Sequence, residues 1–216
     1  MKVYFLGHAA VKLEGAKTVY IDPFLTGNPV ASEKKEDAKA DYVIVTHDHG
    51  DHLGDAFDIA KANGAVLFAQ HEIAVKAQEN GIEAEGMNVG GAVEREGIKV
   101  WFTNAIHTSE TGHPMGAVVE MEGKRVYHAG DTGLFGDMKL IGELFKPDVA
   151  LLPIGGRYTM DEEQAAYAVK LIKPGIVIPI HYNTFPIIKA DPERFKELVG
   201  GEAEVRILNP GEFVEI

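Results

Sequence analysis

The chain has 216 residues, with 33 acidic against 21 basic side chains, a net charge of −12 and no cysteine. This charge argues against nucleic acid as a partner, because contacts from lysine and arginine to phosphates supply most of that affinity. Without cysteine, disulfides and thiolate metal sites are excluded, so any metal must be bound by histidine and carboxylate groups.

Hydrophobic residues make up 45% of the chain, and 24 glycines and 10 prolines are spread along it. That composition and length predict one domain over residues 1–216 with many turns. No apolar run approaches the roughly 20 residues of a membrane span, and the first residues do not resemble a secretory signal. We therefore expect a cytoplasmic protein without a membrane partner. The sequence does not decide between a monomer and a homo-oligomer.

The first part of the chain is rich in predicted strands. Alternating or continuous apolar patterns indicate four of them, at residues 2–6, 10–14, 17–21 and 42–46. A polar segment at residues 34–40 predicts a short helix. Helix and strand then alternate, with a helix over 53–63, a strand over 65–69 and a helix over 72–80.

The rest of the chain mixes both element types. Residues 82–104 hold two or three strands, and a loop follows over residues 105–115. The remaining predicted strands are 117–121, 125–128, 148–152, 175–180, 204–208 and 212–215, and the helices are 135–145, 161–172 and 192–199. Continuous apolar strands need cover on both faces. The pattern therefore predicts an α/β fold of two mixed sheets packed together, with helices outside.

The strongest chemical signal is His47-x-His49-x-Asp51-His52, directly after the apolar strand 42–46. His47 and His49 are two residues apart on extended backbone, so their imidazoles point the same way and can share a metal. Asp51 and His52 lie on the following turn and can share a second metal. Asp51 has an alternative interpretation as the N-cap of the helix at 53–63.

Three further candidate ligands follow predicted strands: His107, Asp131 in Ala-Gly-Asp-Thr-Gly, and His181. Sites in open sheets tend to lie at the carboxyl ends of strands, so the four segments predict one convergent site. Taken singly, Asp131 also suits a turn, and each histidine also suits a structural hydrogen bond.

In this order, HxHxDH, a lone His, GDTG and a late His after an apolar strand resemble the metallo-β-lactamase superfamily. Asp22, in Ile-Asp-Pro, matches an early aspartate of that superfamily. The segments GHAAVKLEG, IDPFLTGNP and LPIGGRYTMD are similar to small metal-dependent hydrolases related to the L-ascorbate-6-phosphate lactonases. The resemblance covers nearly the whole chain and implies a four-layer αββα sandwich.

The resemblance also implies a ligand set for two divalent cations. It places His47, His49 and His107 on the first cation, and Asp51, His52 and His181 on the second. Asp131 would bridge both, and Asp22 would orient a ligand by hydrogen bonds. Zinc is the expected metal, and Mn, Fe, Ni or Co suits the same ligands.

Four more residues are secondary candidates. His8, in a Gly-His-Ala turn, is expected near the mouth of the site, and His128 is expected to support the Asp131 turn. His113 is expected to line a substrate loop. Arg157, beside Tyr158 and after two glycines, is a candidate for binding a substrate anion.

The expected activity is hydrolysis of a small ester, lactone or phosphodiester by a metal-bridged hydroxide. Asp51 is expected to hold the proton of the hydroxide and to deliver it to the leaving group. One alternative is a nuclease or cyclic-nucleotide phosphodiesterase, which predicts a basic cleft. Another is a metal-bound redox or ligand-binding protein without hydrolytic activity. A small-molecule substrate is the expected partner.

Overall fold

The computed structural model describes residues 1–216 as two seven-stranded sheets packed face to face, with helices on the outer faces. This arrangement confirms the predicted α/β fold class. The strands are β1 (Lys2–Gly7), β2 (Ala10–Glu14), β3 (Thr18–Ile21), β4 (Tyr42–Ile44), β5 (Val66–Gln70), β6 (Ala84–Met87), β7 (Val93–Arg95), β8 (Ile98–Asn104), β9 (Met115–Met121), β10 (Lys124–His128), β11 (Val149–Pro153), β12 (Ile176–Ile180), β13 (Glu204–Val205) and β14 (Phe213–Glu215).

Six α-helices and one 3₁₀ turn at Pro186–Ile188 connect the strands. The helices are α1 (Gly50–Leu53), α2 (Ala56–Asn63), α3 (His71–Glu79), α4 (Met138–Phe145), α5 (Glu162–Ile172) and α6 (Pro192–Val199). None of them combines the length and the apolar character needed to cross a membrane.

The two sheets share one topological plan. In the first, β1 to β3 are antiparallel neighbours, and β3 to β6 run parallel. In the second, β7 to β10 are antiparallel, and β10 to β13 run parallel. Parallel neighbours need crossovers; α2 to α6 supply five of them, whereas residues 22–41 connect β3 to β4 without a helix. The last strand, β14, returns to the first sheet beside β1.

The main core lies between the sheets. Val19 and Ile44 from the first sheet and Val119 and Ile178 from the second are fully buried in it. Two further apolar clusters lie under the helices on the outer faces. The central strands are thus covered on both faces, as continuous apolar runs require.

Two predicted helices differ from the structure. Residues 34–40 form turns, because Ala38 is the only fully buried residue there and no apolar face exists to hold a helix against the core. The helix predicted over 53–63 is broken into α1 and α2 at Gly54, which has φ 44°. A Cβ at Gly54 would lie 2.6 Å from the Phe24 Cα, so a close backbone approach imposes the break.

Element ends also shift. The helix predicted from residue 135 begins at Met138, since residues 135–137 form the preceding turn. Asp161 lies outside α5 as its N-cap and accepts a hydrogen bond from the Gln164 N–H at 2.9 Å. The strand predicted over 204–208 is shorter in the structure, where only Glu204–Val205 pair with β12.

A cavity mutation tests the core between the sheets. We expect Ile178→Ala to lower the free energy of unfolding by about 2–5 kcal/mol, because a fully buried side chain leaves a void. Guanidinium denaturation measures this change. Leu144, which is 67% exposed on α4, gives the matched control, and Leu144→Ala should change stability by less than about 0.5 kcal/mol. Equal losses in both variants would contradict this account of the core.

Candidate metal centre

The predicted site residues gather at one edge of the molecule, where strands of both sheets end. His47 follows β4, His107 follows β8, Asp131 follows β10 and His181 follows β12. β8 runs in the same direction as β10, because β9 is antiparallel to both. The carboxyl ends of these strands therefore meet, as in other α/β sites.

Asp131 lies at the centre of the cluster. Its Oδ1 is 3.1 Å from His52 Nε2, and its Oδ2 is 3.1 Å from His181 Nε2 and 3.5 Å from His107 Nε2. Asp131 is 3% exposed, so this charge is removed from water. One buried carboxylate thus contacts imidazoles from three separate segments.

A second group is formed by His47, His49 and His107, whose nitrogens converge. His47 Nε2 lies 3.0 Å from His49 Nδ1. The Thr46 hydroxyl donates to Asp22 at 2.6 Å, so it accepts from the Nδ1–H of His47 at 3.0 Å. Because Nδ1 carries the proton, the lone pair of His47 Nε2 is directed toward His49 and His107.

A third group consists of Asp51, His52, His181 and His8. Asp51 Oδ2 lies 3.7 Å from His181 Nε2 and 3.1 Å from His8 Nε2. The structure therefore brings together all seven predicted ligands and adds His8 to them.

These donors fit a divalent cation. His52 Nε2, Asp131 Oδ1 and His181 Nε2 are buried without a hydrogen-bond partner. His52 Nε2 and Asp131 Oδ1 are 3.1 Å apart, yet they are not oriented to bond each other. Buried polar atoms normally have partners, and imidazole nitrogens with carboxylate oxygens that face a common point form a typical ligand set.

The histidines of the cluster differ in charge. Burial lowers the pKa of His47 to about 3 and that of His8 to about 4, so both imidazoles are neutral at pH 7. Burial also opposes charge on His181 and His52, but neighbouring carboxylates outweigh it. Asp131 raises the pKa of His181 to about 9, and Asp131 with Asp22 raises that of His52 well above its ordinary value.

Asp22 orients His52 by hydrogen bonding. Its Oδ2 accepts from His52 Nδ1 at 2.7 Å, and its Oδ1 accepts from the Thr46 N–H at 2.8 Å. The His52 ring is thereby held with Nε2 toward Asp131. Asp22 therefore makes the kind of contact that its resemblance implied.

His128 and His8 are both fully buried beside the cluster. His128 donates from Nε2 to the Ala9 carbonyl at 2.9 Å and accepts from the Gly130 N–H at 3.1 Å. It joins the turn before Asp131 to the turn that carries His8. The Asp51 carboxylate only accepts, so His8 Nε2 donates to it, and His8 Nδ1 accepts from the Thr184 hydroxyl at 2.9 Å.

Two of the predicted residues lie outside the cluster. His113 belongs to the loop after β8, but it is exposed and donates to Asn104 Oδ1 at 2.8 Å. Arg157 is exposed, has φ 55° and stacks over the Tyr158 ring at 5.3 Å. Its guanidinium forms no hydrogen bond or ion pair within the chain.

Sequence reasoning missed four residues around the site. Thr46 and Thr184 hold histidine nitrogens, and Phe185 packs edge-on against His8 with ring centroids 5.7 Å apart. Asp48 is buried between His47 and His49 and binds the loop after β8. Only Asp48 had a usable signal, because it alternates with the two histidines on an extended segment.

The charge pattern predicts how the metal-free protein responds to pH. A histidine whose pKa is raised by folding stabilises the protein fully below its unfolded pKa of 6.5, and the gain is lost as pH rises through about 9. We therefore expect guanidinium midpoints of metal-free protein to fall between pH 6.5 and 9. His181→Gln should flatten this fall, and an unchanged slope in that variant would contradict the assignment.

Comparison with known proteins agrees with the fold and the site. Residues 17–182 match the family described as the beta-lactamase superfamily domain. A UPF0173 metal-dependent hydrolase of Thermococcus onnurineus is 52% identical over 100% of both chains, and one of Thermofilum pendens is 51% identical over 99% of this chain and 98% of its own.

A solved structure, of Igni18, a metallo hydrolase from Ignicoccus hospitalis, is 46% identical and superposes with a TM-score of 0.93. The alignment covers 99% of this chain and 97% of Igni18. With full-length relatives above 50% identity and a matching family domain over most of its residues, the chain belongs to the metallo-β-lactamase superfamily.

Proposed function

We propose that this chain is a metal-dependent hydrolase that uses two divalent cations, with zinc as the expected metal, on a small ester, lactone or phosphodiester. The convergence of six other imidazole and carboxylate groups around Asp131 is the observation that supports the proposal. The names of the full-length relatives point the same way.

The distances favour one division of the ligands. We assign the first cation to His47, His49 and His107, which form one convergent group. We assign the second to Asp51, His52 and His181. Asp131 would serve both cations, since its oxygens approach His52, His107 and His181.

When bound, two divalent cations lower the pKa of a water and offset the charge that develops on a substrate oxygen. The protein then has to orient the substrate and move a proton. Asp51, His49 and His107 are the partly exposed members of the cluster, whereas the other ligands are buried. We infer that the substrate approaches from the side on which these three lie.

Asp51 is the proposed proton carrier. Burial opposes its charge, but the nearby His181 imidazole and a hydrogen bond from His8 hold its pKa well below the ordinary value, so it is ionised at pH 7. An ionised carboxylate can accept a proton from an attacking water and pass it to a leaving group. His8 fixes the orientation of this carboxylate through its Nε2–H.

No observation favours nucleic acid as the substrate. A cavity of about 480 Å³ lined by four lysines lies between α4 and α5. Lys146 and Lys173 lie just before β11 and β12 begin, which is the edge opposite to the site. This lysine-lined cavity is therefore separate from the proposed reaction centre.

The bridging role of Asp131 predicts a joint loss. We expect Asp131→Ala to lower metal content below that of the parent protein and to reduce kcat/KM by about 100-fold or more, because both cations lose a ligand. Metal analysis and kinetics measure the two effects. Asp137→Ala, at an exposed aspartate before α4, is the control. Unchanged metal stoichiometry in Asp131→Ala would refute the bridge.

The function itself is tested by metal analysis of purified protein combined with a panel of lactones, esters, phosphodiesters and β-lactams. We expect two metal equivalents per chain and metal-dependent hydrolysis of at least one small carbonyl or phosphodiester substrate. Chelation should abolish this activity, and zinc should restore it. Bound iron without hydrolysis of any substrate would instead support a redox or ligand-binding role.

A further inference from the structure

The loop that carries His107 spans residues 105–114, between β8 and β9 of the second sheet, and is called here the His107 loop. Its first residues are tied to their own half of the molecule. The Ile106 N–H donates to Thr132 Oγ1 at 2.9 Å, and the Gly133 N–H donates to the Ile106 carbonyl at 3.0 Å. These bonds lie before His107 and leave the middle of the loop to be held elsewhere.

The middle of the His107 loop is held by Asp48, which follows β4 in the first sheet. One oxygen, Oδ1, accepts from Ser109 Oγ at 2.7 Å, from the Glu110 N–H at 2.8 Å and from the Thr111 N–H at 3.2 Å. The other, Oδ2, accepts from Thr111 Oγ1 at 2.5 Å. A single carboxylate thus binds three consecutive residues of the loop.

The position of Asp48 explains this reach. It lies between His47 and His49 on extended backbone, so its side chain points away from theirs. Asp48 is 6% exposed, and Lys76 Nζ lies 3.6 Å from its Oδ2. Asp48 belongs to none of the groups that could hold a metal. Its oxygens are directed to the loop instead.

A neighbouring strand of the first sheet supplies a second anchor. Gln70, at the end of β5, donates from Nε2 to the Thr111 carbonyl at 2.5 Å. Gly112 has φ 66°, and a Cβ there would lie 1.8 Å from Gln70 Oε1. The loop backbone therefore docks tightly on the first sheet, and Asp48 contributes the charged part of that contact.

We propose that Asp48 is a positioning residue that holds the His107 loop against the first sheet, so that His107 is set beside His47 and His49 before metal binds. The inference rests on the proposed function, since it concerns the ligands of the first cation. A loop without this anchor would have to be ordered on metal binding, and that entropy loss would weaken affinity.

The experiment compares Asp48→Ala with Asp48→Asn in the full chain. In metal-free protein, we expect Asp48→Ala to speed hydrogen exchange at the Glu110 and Thr111 amides. Titration with zinc should show a 10- to 100-fold weaker first cation and an unchanged second, the range typical of lost partners behind metal ligands. Asparagine keeps a carbonyl oxygen that can accept at the loop, so Asp48→Asn should recover most of the affinity.

Asp148→Ala is the matched control. Asp148 accepts from the Arg125 N–H at 2.9 Å and from Lys124 Nζ at 3.2 Å, just before β11 begins, at the edge opposite to the site. Its loss should leave both zinc affinities and kcat/KM within twofold of the parent protein. Comparable effects from both aspartates would indicate general destabilisation and overturn the inference.

The outcomes separate this inference from the proposed function. Two bound cations with hydrolysis in the parent protein, but equal zinc affinities in Asp48→Ala, would overturn the positioning role alone. Equal weakening of both cations would also overturn it. Absence of zinc binding in the parent protein would refute the proposed function, and the positioning role with it.

Discussion

One buried negative charge constrains how the two sheets of this protein can pack. Asp131 is almost fully removed from water, and an isolated carboxylate there would be strongly destabilising. Its compensation comes from imidazoles that belong to three distant segments, so those segments must converge for the charge to be tolerated. In metal-free protein, protonated His52 and His181 balance the charge of Asp131. The same geometry suits divalent cations. The requirement to neutralise one carboxylate therefore links packing of the sheets to the chemistry of the site.

The shared topology of the sheets makes this convergence possible. Each sheet begins with antiparallel strands and continues with parallel ones, so each presents carboxyl ends at the same edge. Polar side chains after β4 therefore face those after β10 and β12 across the interface. The apolar core between the sheets, with Ile44 and Ile178 fully buried, fixes their separation. Hydrogen bonds then orient individual ligands, as the bond from His52 Nδ1 to Asp22 does.

Much of this could be predicted from sequence because both signals are local. Apolar runs that end in histidine or aspartate reveal a strand and its site residue together, as at residues 42–46 with His47. One failure comes from a contact distant in sequence, because Gly54 breaks a helix where Phe24 passes close to it. The other is local, because residues 34–40 lack a buried face. The partners of Asp48 lie more than 60 residues away in the sequence. Its alternation with His47 could therefore predict which way its side chain points but not which residues it binds.

The origin of the ligands has a consequence for assembly. His47, His49, Asp51 and His52 come from the first sheet's half of the chain, and His107, Asp131 and His181 come from the other. Neither half alone contains all seven proposed ligands, so the complete set forms only when the two halves pack together. Metal held by ligands from both halves would act as a non-covalent cross-link between the sheets, and tighter binding would stabilise the docked state more. Removal of metal by a chelator should accordingly weaken the packing between the two sheets before it disrupts strand pairing within either sheet.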